Sequence, residues 1–331
     1  MDCPTRRRVL LLGATGTIGR ATAAALVAAG HDTVCLVRQR SAEVPGLPAR
    51  CAVQVADLTD VGSILRDGLR GEPFDAVISC LASRTGAPAD AWAIDHGANL
   101  AALRAAEEGG VGQFILLSAI CVQKPRLAFQ HAKLAFEAAL IASGIRHAIV
   151  RPTAFFKSLS GQVDRVTRGK PYLLFSDGRL TACKPIADAD LARYLVDCID
   201  NEARLGRILP IGGPGPAITP RDQGEALYAL LGRQPKFRSV PVGLLDAIIA
   251  GLSLAGRLAP RLAAKAELAR IGRYYATESM LVLDPVSGTY DADATPETGS
   301  AKLLDHYAGL IRGEVIDDAG DHAVLRRGRS A

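Results

Sequence analysis

The segment Val9–Arg20, VLLLGATGTIGR, constrains the fold of this chain more than any other. Four apolar residues run directly into a glycine-rich turn, and an alanine-rich stretch with helical character follows. This order is typical of a nucleotide-binding βαβ unit: Gly13 permits the tight turn, Gly16 lets backbone amides approach a pyrophosphate, and Gly19 lets the helix pack on the sheet. The N-terminus of the helix then offers N–H groups to the phosphate.

A second strand, predicted over Thr33–Val37, completes this unit and is followed by arginine instead of an acid. An NAD site usually places Asp or Glu there for the ribose hydroxyls, whereas the 2′-phosphate of NADPH requires a cation. Arg38 can make paired, charge-assisted hydrogen bonds to that phosphate, and Arg40 lies close by. The sequence therefore predicts NADPH as the coenzyme, with a solvated basic loop as the alternative.

Strands and helices continue to alternate along the first half of the chain. This alternation predicts an α/β protein with a Rossmann-type, doubly wound parallel sheet. The helical periods include Ala21–Ala29, Asp60 to about Leu69, and Ala91–Glu108. We predict an NADPH-binding core over residues 1–153, completed by about 186–212, a smaller substrate-binding lobe over 154–185 and 213–318, and a mobile tail over 319–331.

The catalytic pattern of short-chain reductases is only partly present. The glycine spacing resembles the extended and atypical branches of the short-chain dehydrogenase/reductase superfamily, whose usual site has Ser after the fifth strand and Tyr-x-x-x-Lys on the next helix. Ser118 and Lys133 stand in register, but Phe129 occupies the tyrosine position. Because the phenol that protonates a carbonyl oxygen is missing, ketone or alcohol chemistry by the standard route is not expected, whereas hydride delivery to a carbon–carbon double bond remains possible. Lys133 is predicted to bind the nicotinamide ribose and assist proton delivery; a surface lysine is the alternative.

Further coenzyme contacts are predicted where the third and fourth strands end, because these ends approach the adenine and ribose in this fold. For Asp57, capping of its own loop is the alternative. Ser118 and Lys133 are the predicted catalytic residues. The predicted coenzyme-binding residues are Gly13, Thr15, Gly16, Thr17, Ile18, Gly19, Arg38, Asp57, Leu58, Cys80, Leu81 and Lys133.

Charge and cysteine usage exclude several other classes of protein. The net charge is only +5 and the arginines are spread along the chain, which argues against nucleic-acid binding. Seven cysteines without a C-x-x-C pair indicate reduced thiols and a cytoplasmic protein; no signal peptide and no metal site are expected. The apolar segment Pro241–Pro260 is broken by glycines and charges, so we expect core packing, with a membrane surface or a pocket wall as alternatives.

Longer motifs resemble those of the NADPH-dependent 3,8-divinyl (proto)chlorophyllide a 8-vinyl reductases of chlorophyll and bacteriochlorophyll synthesis. This group is an atypical, isoflavone-reductase-like (NmrA-like) branch of the superfamily. The resemblance extends from about Arg8 to Asp317. Its specific carriers are SCLASRTG at 79–86, LSAICVQKP at 117–125, FQHAK at 129–133, IVRPTAFFKSL at 149–159 and YYATESML at 274–281.

This resemblance implies hydride transfer from NADPH to the 8-vinyl group of a magnesium tetrapyrrole, with a proton added to the neighbouring carbon to give the 8-ethyl product. Peripheral contact with a photosynthetic membrane is compatible with it. An isoflavone-type reductase of another aromatic compound and a non-catalytic NADPH-sensing or assembly protein are the alternatives.

Substrate contacts are predicted in two places. Phe155 and Phe156 follow the sixth strand at the sheet edge where ligands bind, and could stack on the macrocycle. Tyr274, Tyr275 and Glu278 could close the pocket from the C-terminal lobe, with a tyrosine as candidate proton donor. Each of the five has a structural alternative, as a core aromatic or a helix-surface residue.

Overall fold

The computed structural model describes residues 6–38, 46–256 and 259–314, so Arg40 and the tail predicted over 319–331 lie outside the described residues. The chain divides into two compact units. The first comprises the residues up to Ser83, Pro88–Pro152 and Asp188–Ile211. The second comprises Arg84–Ala87, Thr153–Ala187 and the residues from Gly212 onward.

A seven-stranded sheet, parallel throughout, forms the centre of the first unit, which confirms the predicted Rossmann-type architecture. The strand order is β3-β2-β1-β4-β5-β6-β8, so the chain moves outward from β1 in one direction and then in the other. The carboxyl ends of β1 and β4 therefore border the crevice where ligands bind in such sheets. The strands are β1 (Arg8–Leu12), β2 (Asp32–Val37), β3 (Ala52–Val55), β4 (Ala76–Ser79), β5 (Gln113–Leu117), β6 (Arg146–Pro152) and β8 (Arg207–Ile211).

Helices cover both faces of this sheet. Leu10 and Leu12 of β1 belong to one hydrophobic core, while Val9 and Leu11, equally buried, point to the opposite face, as the two-residue period of a strand requires. The first core contains the fully buried rings of Phe114 and Phe136. The helices of this unit are α1 (Thr17–Ala28), α2 (Val61–Ser63), α3 (Pro88–Ala91), α4 (Asn99–Glu108), α5 (Ala128–Ala142) and α8 (Asp188–Val196).

Two of the predicted helices contain a π-helical segment. The one predicted from Asp60 consists of α2 followed by a π segment over Ile64–Leu69. The one predicted over Ala91–Glu108 consists of a π segment over Trp92–Ala98 that joins α3 to α4. Apolar periodicity does not distinguish these wider turns from α-helix, and π segments often mark functional positions.

The second unit has its own core and two small sheets. Its core includes Phe156, Tyr172, Leu227, Tyr228 and Tyr307. The strands are β7 (Tyr172–Phe175), which pairs in parallel with β9 (Phe237–Val240), and β10 (Val282–Leu283), which pairs antiparallel with β11 (Tyr290–Asp291). The helices are α6 (Phe156–Leu159), α7 (Val163–Thr167), α9 (Pro220–Leu230), α10 (Val242–Gly256), α11 (Pro260–Thr277) and α12 (Leu303–Arg312).

The apolar segment Pro241–Pro260 forms α10, but its predicted place in the core is wrong. No residue of α10 is buried, although the helix is apolar along most of its length. It forms a hairpin with α11 and leaves its outer face uncovered. Among the described residues, no helix has the length and apolar character that crossing a bilayer requires.

Candidate functional site

The glycine turn after β1 leaves no room for side chains at two of its positions. Gly13 has a φ of +76°, and a Cβ there would lie 2.6 Å from the carbonyl carbon and oxygen of Cys80, after β4. A Cβ on Gly19 would lie 2.0 Å from the carbonyl oxygen of Gly13. Glycine is therefore required at both positions, because any other residue would push the turn away from β4 or α1 away from the turn.

Gly16 occupies a different environment, since a Cβ there would approach only the Gly13 carbonyl oxygen, at 3.4 Å. Gly16 is the N-cap of α1, no side chain caps this terminus, and the first turn contains no acid. Thr15 is exposed, while Ile18 is buried beneath the turn. An open, uncapped helix N-terminus has the chemistry of a phosphate cradle, so these residues fit the predicted pyrophosphate.

Cys80 and Leu81 lie beside this turn, as predicted from their place after β4. The Cys80 N–H donates to the carbonyl of Leu12 at 3.0 Å, and a Cβ on Gly13 would lie 3.0 Å from the amide nitrogen of Leu81. The Leu81 side chain is buried. Burial also raises the pKa of the Cys80 thiol to about 12, so it stays protonated at neutral pH. The two residues offer backbone and neutral atoms to a ligand.

Arg38 and Asp57 follow neighbouring strands, and both are exposed. In the described part of the chain, no carboxylate forms an ion pair with Arg38, so its guanidinium is available to a phosphate. The Asp57 carboxylate accepts hydrogen bonds from the hydroxyl and the N–H of Thr59, at 2.7 and 2.9 Å, which lower its pKa. Asp57 thus caps its own turn, which is the alternative that the sequence left open. The side chain of Leu58 is buried.

Lys133 is held by a buried carboxylate that the sequence reasoning missed. Its Nζ lies 2.9 Å from Oδ1 of Asp95, with the two side chains 11% and 1% exposed. Lys133 and Asp95 form an ion pair, but the angles at Nζ and Oδ1 are not those of a hydrogen bond. The other oxygen of Asp95 accepts the N–H of Ser83 at 3.3 Å. Lys133 is therefore not a surface lysine. The sequence did offer a signal for Asp95, because it is an acid on the otherwise apolar face of the helix predicted over Ala91–Glu108.

Asn99 holds the π segment that carries Asp95. Its Nδ2 donates to the carbonyls of Ile94 and Asp95, at 3.2 and 3.1 Å. Its Oδ1 accepts the hydroxyl proton of Ser79, at the end of β4, at 2.6 Å. These bonds join the side chain of Asn99 to the π segment and to the end of β4. They fix the backbone from which Asp95 reaches Lys133.

Ser118 belongs to a second buried network. Its hydroxyl donates to Oε1 of Glu137 at 2.5 Å, and Glu137, 2% exposed, forms an ion pair with Arg151 at the end of β6. The Nε of Arg151 also donates to Oε1, at 3.2 Å. Because its proton is directed at Glu137, Ser118 can accept a hydrogen bond from a ligand but has no second proton to donate. Sequence reasoning missed Glu137, although it stands one helical turn after Lys133.

The five predicted substrate residues lie in the second unit in two groups. Phe155 is half-buried and precedes α6, whereas Phe156 is 5% exposed in the core, its ring centroid 5.6 Å from that of His306. At the end of α11 lie Tyr274, 3% exposed, Tyr275, 44% exposed, and Glu278, which accepts the hydroxyl proton of Tyr290 at 2.9 Å. Phe156 and Tyr274 are therefore buried like core aromatics, whereas the ring of Tyr275 is exposed to solvent.

The chain is similar to two groups of known proteins. The sequence profile of a family described as NAD(P)H-binding matches residues 13–202, more than half of the chain. The chloroplastic divinyl chlorophyllide a 8-vinyl-reductase of Oryza sativa subsp. indica is 47% identical, over 97% of this chain and 83% of its own. The corresponding reductase of Arabidopsis thaliana is 44% identical, over 93% of this chain and 78% of its own.

Solved structures show a likeness at the level of the fold. The NADPH-dependent quinone oxidoreductase QOR2 of Escherichia coli, complexed with NADPH, matches with a TM-score of 0.63. The match covers 92% of this chain and 99% of that protein at 17% identity.

Replacing Gly19 with Ala is expected to destabilise the protein strongly, because the new Cβ would collide with the Gly13 carbonyl oxygen. We expect the free energy of unfolding to fall by about 2–3 kcal/mol, the upper range for overpacking. Gly16→Ala is the matched control, and its cost should stay below about 1 kcal/mol because the site is open. Urea unfolding followed by circular dichroism measures both values. Equal losses for the two variants would contradict the packing assigned to the turn.

Proposed function

Because the chain belongs to the divinyl chlorophyllide a 8-vinyl-reductases, a group within the NAD(P)H-binding family, we propose that it reduces the 8-vinyl group of a magnesium tetrapyrrole to 8-ethyl. Its substrate is 3,8-divinyl chlorophyllide a or divinyl protochlorophyllide a. The observation that carries the proposal is the identity with the plant reductases over nearly the whole length of this chain. Phe129, at the position where a carbonyl reductase has its proton-donating tyrosine, supports the same reaction.

When bound, NADPH supplies the hydride for one vinyl carbon, and the neighbouring carbon takes a proton. The protein's task is to orient the two partners, exclude water and deliver that proton. The glycine turn holds the pyrophosphate against the N-terminus of α1, and Arg38 binds the 2′-phosphate. With no carboxylate paired to Arg38 among the described residues, its charge is not neutralised before the coenzyme arrives.

Lys133 holds the nicotinamide ribose in this proposal. The Asp95 carboxylate holds the Lys133 ammonium in place by charge without a hydrogen bond, so the N–H groups of the ammonium remain for the ribose hydroxyls and for a water that delivers the proton. Ser118 donates its own proton to Glu137, so its oxygen would accept a hydrogen bond from the nicotinamide half of the bound coenzyme.

Tyr275 is the residue of the second unit that we propose as a contact for the macrocycle, because its ring is open to solvent at the end of α11. We also propose that the protein meets the photosynthetic membrane peripherally, because its pigment substrate is apolar and large. The cytoplasmic location expected from the cysteines stays a prediction.

The reaction is tested with the purified protein, NADPH and 3,8-divinyl chlorophyllide a, following the Soret band and the mass of the extracted pigment. The proposal predicts a blue shift and a gain of two hydrogens, both dependent on NADPH. If NADPH binds and the pigment stays unchanged, the proposal fails. Turnover of another conjugated aromatic compound would then point to an isoflavone-type reductase, and binding without any turnover to a sensing or assembly protein.

Arg38→Ala is expected to weaken NADPH binding by about tenfold to a hundredfold, the worth of charge-assisted hydrogen bonds to a phosphate, and to leave NADH binding unchanged. Fluorescence titration with both coenzymes measures the two dissociation constants. Arg104→Ala, an exposed arginine on α4, is the matched control and should change neither. Equal weakening of NADPH and NADH by Arg38→Ala would contradict the role in binding the 2′-phosphate.

Asp95→Asn is expected to weaken NADPH binding by about tenfold, because it removes the charge that fixes the Lys133 ammonium. A double-mutant cycle separates this role from a general effect on folding. If Asp95 acts through Lys133, the variant carrying both Asp95→Asn and Lys133→Met should bind NADPH no more weakly than Lys133→Met alone. Additive losses, with thermal unfolding unchanged in all three variants, would show that the two residues act separately.

A further inference from the structure

The outer face of α10 is apolar and uncovered. Leu244, Ile248 and Leu254 are 51%, 42% and 65% exposed. At about 100° per residue these positions fall on one side of the helix. Small residues fill the same side between them: Gly243, Ala247, Ala250 and Gly251, all exposed. A helix on the surface of a globular protein normally carries charged and polar residues on its outer side.

The polar groups of α10 are turned toward α11 instead. Asp246 forms an ion pair with Arg273, and Ser253 accepts a hydrogen bond from Arg270 at 2.7 Å. At the closed end of the hairpin the helices nearly touch, since a Cβ on Gly256 would lie 2.9 Å from the backbone of α11. These contacts fix the rotation of α10 about its axis. The apolar side is therefore held outward as a permanent surface.

Positive charge is concentrated in the part of the sequence that contains α10 and most of α11. Residues 231–275 contain eight Arg and Lys and only two Asp and Glu, a net charge of +6, against +5 for the whole chain. Lys236, Arg238 and Lys265 are exposed, and in the described part of the chain no carboxylate is paired with any of them. The two acids in the segment are both engaged, Asp246 with Arg273 and Glu267 with Arg270.

We propose that the outer face of α10 inserts into the headgroup boundary of an anionic lipid bilayer, and that the hairpin docks the enzyme on the lipid phase that contains its pigment substrate. An apolar helix face flanked by uncompensated basic residues is complementary to such a surface. A second copy of this chain is a poorer occupant, because it would bring one segment of charge +6 against another. Docking on the lipid that contains the pigment rests on the proposed function, whereas insertion of α10 into an anionic bilayer does not.

The hairpin also connects this lipid face to the predicted substrate residues. Helix α11 passes beside the end of α10 near Ala263 and continues to Tyr274 and Tyr275. When α10 docks on lipid, the second helix of the hairpin would therefore carry the exposed ring of Tyr275 with it. Recruitment to lipid and capture of the pigment become linked by one pair of helices.

Vesicle flotation of the full chain tests the docking. We expect binding to vesicles of 30% phosphatidylglycerol in phosphatidylcholine, and at least about tenfold weaker binding to phosphatidylcholine alone or in 0.5 M NaCl. The variant Ile248→Glu/Leu254→Glu should lose at least about tenfold of its binding to the anionic vesicles. The matched control Leu180→Glu/Val286→Glu places the same charges at two other exposed apolar positions of the second unit and should bind as the unmodified protein.

Equal effects of the two double variants would overturn the role of α10, as would equal binding to both kinds of vesicle. If α10 instead mediates self-association, the unmodified protein would be dimeric without vesicles, and Ile248→Glu/Leu254→Glu would make it monomeric. Light scattering after gel filtration would detect that result, which contradicts the proposal. Circular dichroism of both variants confirms that the fold is kept; should the first variant unfold, Leu254→Ser alone takes its place.

Activity assays separate this inference from the proposed function. With divinyl chlorophyllide in detergent micelles, Ile248→Glu/Leu254→Glu should turn over pigment as fast as the unmodified protein. With the same pigment loaded into anionic vesicles, it should be at least about fivefold slower. Loss of both activities would make α10 a wall of the substrate pocket and overturn the docking role. Absence of any activity in the unmodified protein would contradict the proposed function and leave the flotation result to decide the docking.

Discussion

The contact between backbone atoms at the end of β1 is the constraint on which the first unit depends. The Gly13 carbonyl lies beneath α1, and the Gly13 Cα faces the backbone of Cys80, so three chain segments meet where a single Cβ would not fit. This contact places the N-terminus of α1 over the carboxyl ends of β1 and β4. The same turn leaves the N-terminus of α1 without a side-chain cap, and such a terminus can bind an anion. In the proposed function, folding and coenzyme binding therefore depend on the same turn, for different physical reasons.

Helix α5 carries the side chain that we propose to hold the nicotinamide ribose. One turn apart, Lys133 and Glu137 each enter a buried network, with Asp95 on one side and with Ser118 and Arg151 on the other. Burying these charges is costly unless each one finds its partner, so both networks are sensitive to the loss of a single member. In return, the positions of the ammonium and of the serine hydroxyl are fixed before any ligand binds. Preorganisation of this kind suits a reaction in which the protein mainly positions two partners.

The sequence predicted the sheet well because apolar runs bounded by glycine and polar residues identify buried parallel strands. The strand predicted over Thr33–Val37 is β2, which begins one residue earlier, at Asp32. Helix α1 begins at Thr17, four residues before the predicted Ala21, because Gly16 itself serves as the N-cap. The π segments were not predictable, because apolar periodicity does not distinguish these wider turns from α-helix. Asp95 and Glu137 were missed for a related reason: each looks like an ordinary helical acid until its partner on another element is known.

In α10, apolar composition suggested burial, but only the structure shows which neighbours a helix has.

Isotope transfer tests the central claim, delivery of a hydride from NADPH to the 8-vinyl group, most directly. Two preparations of [4-²H]NADPH, deuterated on opposite faces of the nicotinamide ring, are each incubated with 3,8-divinyl chlorophyllide a, and the 8-ethyl product is analysed by mass spectrometry and NMR. The account predicts one deuterium in the ethyl group from one preparation and none from the other, with the second added hydrogen coming from water. An 8-ethyl product free of deuterium with both preparations would contradict it, because the reducing hydrogen would not then come from C4 of the coenzyme.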